Sequence, residues 1–351
     1  MKAVIFEKHG GPEVLHVANV PDPKPRGDEV VVRVRACSIN HLDLRVRRGI
    51  PGIEIPMPHI PGSDVSGEVA AVGELVRHTQ VGDKVILAPG ISCGHCAACL
   101  AGDDNLCREY TLLGYKVDGG CAELVKAPAR NALPLPEGLS FEEAAAVPLV
   151  FLTAWHMLVT RAKLQLGEEV LILGGSSGVG SAAIQIANVL GARVIATVGS
   201  EEKIERTRAL GADHVILHST PSSVPANTKS GWQAEVKRLT NRRGVDVVFE
   251  HVGEATWSQS LACLAVNGRL VTCGATTGYD AKIDLRFLFS RHLSILGSYM
   301  GSKAELFPVL DLLARKQVHA VIDKVFPLDQ CADAHARMER REQFGKIVLK
   351  V

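Results

Sequence analysis

No charge of either sign dominates this 351-residue chain: 39 Lys and Arg face 38 Asp and Glu, a formal net charge of +1. No Lys/Arg cluster forms a phosphate-tracking stripe, so nucleic acid is not an expected partner. The opening stretch MKAVIFEKHGG carries charge at Lys2, Glu7 and Lys8 and lacks a long apolar run. Neither a secretory leader nor a spanning helix is expected there, no membrane is expected as a partner, and the cytoplasm is the expected compartment. A disulfide framework is missing too: the nine cysteines are an odd number, and four of them crowd between 93 and 107. No internal repeat is found. At 46% apolar and 22% charged residues the composition is that of a soluble globular protein, and the length exceeds one ordinary core, so two domains are expected.

From residue 1 to about 150 the pattern is short strands and turns. AVIFEKHGGPEVLHVANV suits two strands around Gly10, Gly11 and Pro12, Pro21, Pro23 and Pro25 act as spacers, and EVVVRVRACSIN reads as a further strand. No long helical period appears before SFEEAAAVPL, where Ser140 and Glu143 form a capping box. The rhythm then changes to strand EEVLILGG, helix SAAIQIANVLGA, strand RVIATVG, helix EEKIERTRALGA and strand VDVVFEHVG. Such alternation predicts a parallel doubly wound sheet. The Pro/Ser-rich stretch 217–231 is expected as a surface loop. AELFPVLDLLARKQ reads as a helix, and GKIVLKV as a terminal strand that completes the first domain.

Two motifs carry chemistry. Cys93, Cys96, Cys99 and Cys107 stand in a C-x2-C-x2-C-x7-C spacing, and four thiolates fill a tetrahedral Zn²⁺ shell with no position open to a substrate. The scattered Cys37, Cys121, Cys263, Cys273 and Cys331 read as small core residues. In LILGGSSGVGSAAIQ, a strand feeds a helix through Gly175, Ser176, Ser177, Gly178, Val179 and Gly180, where backbone N–H groups and the helix dipole can meet a pyrophosphate. An Asp or Glu usually ends the second strand of an NAD site. Here Val198, Gly199 and Ser200 stand there, with Lys203 close behind, which favours the 2′-phosphate of NADP(H) and leaves NAD(H) possible; Glu201 and Glu202 are neighbouring repellents.

The cysteine loop, GSDVSGEVAAVG at 62 to 73, VGDKV at 81 to 85 and the nucleotide turn, in this order, resemble the medium-chain dehydrogenase/reductase superfamily of zinc alcohol dehydrogenases and zinc-free quinone oxidoreductases. The resemblance covers essentially the whole chain. It implies an α/β protein in which a GroES-like β-rich substrate domain, residues 1–150 and 300–351 with a structural zinc lobe at 90–110, clasps a Rossmann domain, residues 151–299, with the active site in the cleft. It also implies one structural zinc per chain and a homodimer or homotetramer. Gly253 in EHVG and Gly274 in CGATTG resemble positions lining the nicotinamide pocket, and Lys346 in FGKIV resembles a tail residue near the cofactor. His218 stands where NADPH-type relatives often carry a tyrosine.

Zinc alcohol dehydrogenases hold a catalytic zinc through Cys, His and Cys. Matched to those positions, this chain has Asn40, Ser63 and Leu149, with Asp64 keeping the acidic place beside Ser63 and Leu42 replacing the proton-relay hydroxyl. An amide is a poor Zn²⁺ ligand but can hydrogen-bond a substrate oxygen or the cofactor ribose. Zinc-free quinone oxidoreductases carry Asn there. The expectation is therefore hydride transfer from NADPH to an activated small-molecule acceptor, a quinone or an α,β-unsaturated carbonyl, oriented by Asn40, Ser63 and Tyr299. His41, Tyr299 or water would give the proton. An alcohol dehydrogenase with a non-standard site built from His41, His59, Asp43 and Asp64 is the first alternative, and a cofactor-binding protein without turnover the second. Against the former, His59 is expected to satisfy loop backbone, and Asp43 to pair with Arg47 or Arg48.

Overall fold

The computed structural model describes residues 1–218 and 231–351. The chain divides into two compact units, Met1–Leu152 with Ser302–Val351, and Thr153–Gly301.

The first unit is organised by one long strand, Glu29–Ile39. Its sequence EVVVRVRACSI turns Arg33 and Arg35 to solvent while Val30, Val32, Val34 and Cys37 are buried. The sheet runs in the order Ile322–Pro327, Lys346–Lys350, Glu29–Ile39, Asp64–Val72, Lys84–Leu87, Ala132–Pro134, and Leu124–Pro128 also pairs with the long strand. Register matters more than order here. Ser38 faces Asp64 across one antiparallel pair, and Ile39 faces Ile347 across the other. One step beyond, where the long strand ends, Asn40 and Lys346 come together. Valine, isoleucine and leucine side chains from these strands, with Phe6, Phe326 and Met338, form the core.

Lys2–Ile5 and His16–Asn19 pair antiparallel, joined through a 3₁₀ turn at Pro12–Val14. The Ser140–Glu143 capping box starts the helix Phe141–Ala145, with Glu143 N–H donating to Ser140 Oγ at 3.2 Å. One element departs from the sequence reading: a helix, His41–Arg48, lies well before residue 140. Its eight residues are few, and Leu42, Leu44 and Val46 recur every second position as in a strand, so periodicity did not reveal it. It starts because Asn40 N–H donates to the Asp43 carboxylate three residues on, at 2.7 Å.

The second unit holds a six-stranded parallel sheet in the order His214–Leu217, Arg193–Val198, Glu169–Ile172, Val245–Glu250, Leu264–Thr272, Ser294–Gly297. Taken in chain order this is 3-2-1-4-5-6, the doubly wound dinucleotide-binding arrangement. The strands are apolar on both faces, as a parallel sheet requires. Gly178–Val189 is the first crossover helix. The segment EEKIERTRALGA splits into a 3₁₀ turn at Glu201–Lys203 and a helix at Ile204–Ala209. Leu217, counted by the sequence reading in the expected loop at 217–231, is instead the last residue of a strand. Residues 219–230 lie outside the described residues.

Among the described residues no helix is long and apolar enough to cross a membrane.

Gly67 sits where the strand Asp64–Val72 meets the long strand, and a Cβ there would stand 2.1 Å from the Arg33 carbonyl oxygen. Backbone cannot yield as a side chain does. Gly67→Ala should cost about 3 kcal/mol or more, read as a lowered denaturation midpoint with an unchanged m-value.

Candidate functional site

The paired ends of the strands Glu29–Ile39, Asp64–Val72 and Lys346–Lys350 enclose a polar cluster. Its centre is Asp64, fully buried. Asp64 Oδ2 accepts from Ser38 Oγ at 3.1 Å, Asn40 Nδ2 at 2.9 Å and Lys346 Nζ at 2.9 Å, while Oδ1 accepts from Leu149 N–H at 2.8 Å. Lys346 Nζ also donates to Ile39 O at 3.0 Å and to Asn40 Oδ1. A buried carboxylate of this kind survives only when paired and bonded on both oxygens, and Asp64 is.

Beside this cluster lies Ser63, whose hydroxyl is buried and has no hydrogen-bond partner among the described residues. Buried hydroxyls are seldom left so unless something else completes them, which makes Ser63 a candidate for a bound molecule's polar atom. The backbone here is held from below. Gly62 has φ +106°, and a Cβ would meet Cys37 Sγ at 2.6 Å and Cys121 Sγ at 2.8 Å. Only glycine lets the segment 62–64 settle onto those two sulfurs.

The structure corrects the expected Asp43 ion pair. Asp43 takes two backbone N–H groups, from Asn40 at 2.7 Å and Gly62 at 2.9 Å, and thereby clamps the helix start to the Ser63 segment. Burial raises its carboxyl above the ordinary value, against the pull of His335 and of those N–H groups. Arg47, fully buried, pairs instead with Glu339, as does the exposed Arg48. His59 Nε2 lies 3.1 Å from Gly114 O, so it donates to backbone as anticipated, and burial lowers its pKa. His41 is exposed at the first position of the helix. His41, His59, Asp43 and Asp64 therefore do not converge into the alternative metal site. Among the described residues a single group of three or more His, Cys, Asp or Glu could hold a metal ion.

That group is Cys93, Cys96, Cys99 and Cys107. Adjacent sulfurs lie 3.5 to 3.9 Å apart. A tetrahedral shell with Zn–S bonds of about 2.3 Å puts sulfurs about 3.8 Å apart, so the four residues fit a zinc ion. Backbone at His95 and the Cys96 N–H hold the Cys93 thiol below its ordinary pKa. Burial opposes ionisation of Cys99, yet the Ser92 side chain, the Gly94 backbone and neighbouring thiols bring it down to about 6. Of the remaining cysteines, Cys37, Cys121, Cys263 and Cys331 are buried and Cys273 is half-buried.

In the second unit the glycine turn has the form an anion needs. The N–H groups of Gly174 and Gly175 go to Thr197 Oγ1 at 3.1 Å and Thr197 O at 2.7 Å, and Ser177 Oγ caps the helix on Gly180 N–H at 3.0 Å. Ser176, Gly178 and Val179 keep N–H groups with no partner among the described residues, at the N-terminus of a twelve-residue helix. A Cβ at Gly180 would stand 2.3 Å from Gly174 O, the close helix–strand approach that the third glycine of this turn permits. Gly253 and Gly274 lie at neighbouring strand ends, where a Cβ on the first would meet Ala275 Cα at 2.9 Å and on the second His251 O at 2.8 Å. The EHVG turn itself hangs on Glu250, fully buried, which accepts from Val252 N–H, Gly253 N–H, Thr256 Oγ1 and Ser260 Oγ.

Of the residues assigned to the 2′-phosphate, Lys203 is half-exposed on the turn after the second strand, while Ser200 Oγ donates to Glu202 at 3.2 Å. His218 stacks on Trp232 with ring centroids 5.6 Å apart, and burial lowers its pKa. Tyr299 belongs to this second unit and is 54% exposed. Lys346 belongs to the first unit and is buried on Asp64 and Asn40, which its resemblance to a cofactor-side tail residue did not suggest. Sequence reasoning also missed Ser38, Thr197 and Glu250. Each is an ordinary strand residue in the sequence, and only the register of partners far away gives it a role.

Residues 26–137 match the family described as the alcohol dehydrogenase GroES-like domain, and 178–315 the family described as zinc-binding dehydrogenase. An alcohol dehydrogenase of Geobacillus stearothermophilus is 34% identical over 355 residues, covering 100% of both chains, and a quinone oxidoreductase of Sus scrofa is 30% identical over 357 residues, covering 99% of this chain and 97% of its own. A solved structure of an NAD-dependent alcohol dehydrogenase superposes with a TM-score of 0.94 at 46% identity, covering 100% of both chains. With both domain types in the family's order, and relatives of this identity along its full length, the chain belongs to the medium-chain dehydrogenase/reductase superfamily.

Proposed function

We propose that the protein is an NADPH-dependent reductase of activated carbonyl acceptors, quinones or α,β-unsaturated carbonyls, whose zinc is confined to the cysteine loop. One observation carries the reading: of the three places where the alcohol dehydrogenase pattern has its metal ligands, Asn40 and Leu149 hold no free ligand atom, and the third offers only the neutral Ser63 hydroxyl. Asn40 Oδ1 is taken by Lys346, Asp64 is bonded on both oxygens, and Leu149 contributes only a backbone N–H. A ligand needs a free lone pair, and leucine has none to offer.

The helix N-terminus at Ser176, Gly178 and Val179 would hold the pyrophosphate, with Gly253 and Gly274 beside the nicotinamide. A reduced nicotinamide held there would supply the hydride taken up by an electrophilic carbon of the acceptor. The chain's own residues bind and polarise the acceptor. Asn40 Nδ2 and the unpartnered Ser63 hydroxyl can donate to its oxygen as negative charge grows there, and such donors are worth most in a site closed to water. The proton that completes the product would be given by His41, Tyr299 or water. Members of the superfamily named alcohol dehydrogenase favour a second reading, oxidation of alcohols through unusual ligands. A metal count decides between them.

Zinc should titrate at about one per chain, since the cysteine loop alone supplies a complete tetrahedral set. Cys96→Ser should lower both bound zinc and the melting temperature while folded molecules still bind nucleotide. Two zincs per chain, with alcohol oxidation lost when the second is chelated, would establish the alcohol dehydrogenase instead. Turnover of a quinone, enone and aldehyde panel with NADPH, measured alongside, separates either enzyme from a protein that only binds cofactor.

No acid ends the second Rossmann strand and Lys203 is within the adjoining turn, so NADPH should bind more tightly than NADH. Lys203→Glu should reverse the preference, shifting the ratio of the two affinities by about tenfold or more, the worth of one charge-assisted contact. An unchanged ratio would make Lys203 a surface residue.

A further inference from the structure

If Asn40 donates to the acceptor's oxygen, something has to keep its amide from turning round. The two ends of a primary amide are nearly the same shape and opposite in polarity, and an amide presenting its oxygen would repel the charge that develops in the reaction. The structure shows what prevents this. An ammonium has three hydrogens and accepts nothing, so the Asn40 atom facing Lys346 Nζ has to be the oxygen. The amide nitrogen is thereby turned away, with one hydrogen directed to Asp64 Oδ2 at 2.9 Å and the other without a partner among the described residues. Lys346 is itself fully used: its three hydrogens go to Ile39 O, Asn40 Oδ1 and Asp64 Oδ2, and it is 3% exposed. None is left for a substrate.

We infer that Lys346 is a positioning residue, which fixes the Asn40 amide so that its spare Nδ2 hydrogen is presented to a carbonyl-type oxygen. The inference rests on the proposed reductase reading and adds the selectivity of the site. A cationic partner on Oδ1 also polarises the amide and strengthens its remaining N–H as a donor. Asp64 closes the arrangement by holding both Lys346 and the other amide hydrogen. The result is a locally neutral, donor-only site that suits an oxygen gaining negative charge, as in a quinone or enone on reduction.

The test is a double-mutant cycle on turnover of a 1,4-benzoquinone and of a simple enone with NADPH, using Lys346→Met, Asn40→Ala and the pair. Rates are taken per folded molecule, with nucleotide affinity followed by titration. If Lys346 acts through Asn40, each single change lowers kcat by about 10²-fold, the usual loss for one transition-state donor. The pair then lowers it no further than Asn40→Ala alone, and nucleotide affinity stays within about twofold throughout. A merely structural lysine would lower stability and leave kcat per folded molecule unchanged, and losses that multiply would mean the two residues act separately. Either result overturns the inference while the reductase reading stands. A wild-type protein that turns over no acceptor overturns that reading, and the inference with it. Should Lys346→Met fail to fold because Asp64 is left uncompensated, it is combined with Asp64→Asn, which leaves neither charge alone; adding Asn40→Ala to that pair should then lower kcat no further, and a further loss overturns the inference.

Discussion

A single buried carboxylate organises the first unit. Asp64 is fully inside, and an ionised carboxylate in that position has to collect donors from wherever the chain can bring them. It does so with four donors from three separate segments: Ser38 within the long strand and Asn40 just past its end, Leu149 N–H, and Lys346 at the start of the last strand. The antiparallel registers Ser38↔Asp64 and Ile39↔Ile347 deliver three of these. Shifting either register by one residue would turn those side chains to the other face and leave charge stranded. Removing one partner of such a pair typically costs about 3–5 kcal/mol, although the intact pair is weak evidence of net stabilisation. Its consequence is specificity: the C-terminal strand has one acceptable place to lie.

The second unit solves a similar problem with the same means. Glu250 is fully buried at the end of a parallel strand, and its two oxygens gather two backbone N–H groups and two hydroxyls from the next turn and helix. That fixes Gly253, with φ +99°, against the backbone at Ala275 and Gly278. In both units a carboxylate with no room for solvent sets the path of a loop that carries candidate binding residues. The loops are placed by electrostatics, the strands beneath them by apolar burial.

This division explains what could be read from the sequence. The alternating strands and helices from 169 to 250 announce themselves because period and apolar content are local properties. The cysteine loop was equally legible, since its four cysteines lie within fifteen residues, and the structure brings their sulfurs together. The helix His41–Arg48 was not, because its start depends on a side-chain cap and its apolar residues Leu42, Leu44 and Val46 alternate as they would in a strand. The expected Asp43–arginine pair failed for a related reason. Spacing shows which charges stand near one another on a helix, but Asp43 turns back to the backbone at Asn40 and Gly62, and Arg47 reaches Glu339, 292 residues away in sequence. Lys346 was noticed as a tail residue, yet its partners Asn40 and Asp64 are 306 and 282 residues distant. Contacts of that separation are fixed by sheet register, which no local pattern encodes.

The chain thus contains two clusters of potential ligand atoms that differ in one property. In the cysteine loop the sulfurs face one another at 3.5 to 3.9 Å, where like lone pairs without a cation between them gain little, so the cluster is arranged for something it does not itself contain. Around Asp64 the reverse holds: the cation is a lysine of the chain, and each acceptor atom of the cluster is directed at a donor within it. A divalent ion entering there would have to displace an ammonium and strip the hydrogen bonds of a buried carboxylate before gaining any ligand. A single positive charge supplied by a side chain does part of what a metal would do, since it balances Asp64 and polarises the Asn40 amide. On the proposed reading it does so without an open coordination position, and so without the means to lower the pKa of an alcohol.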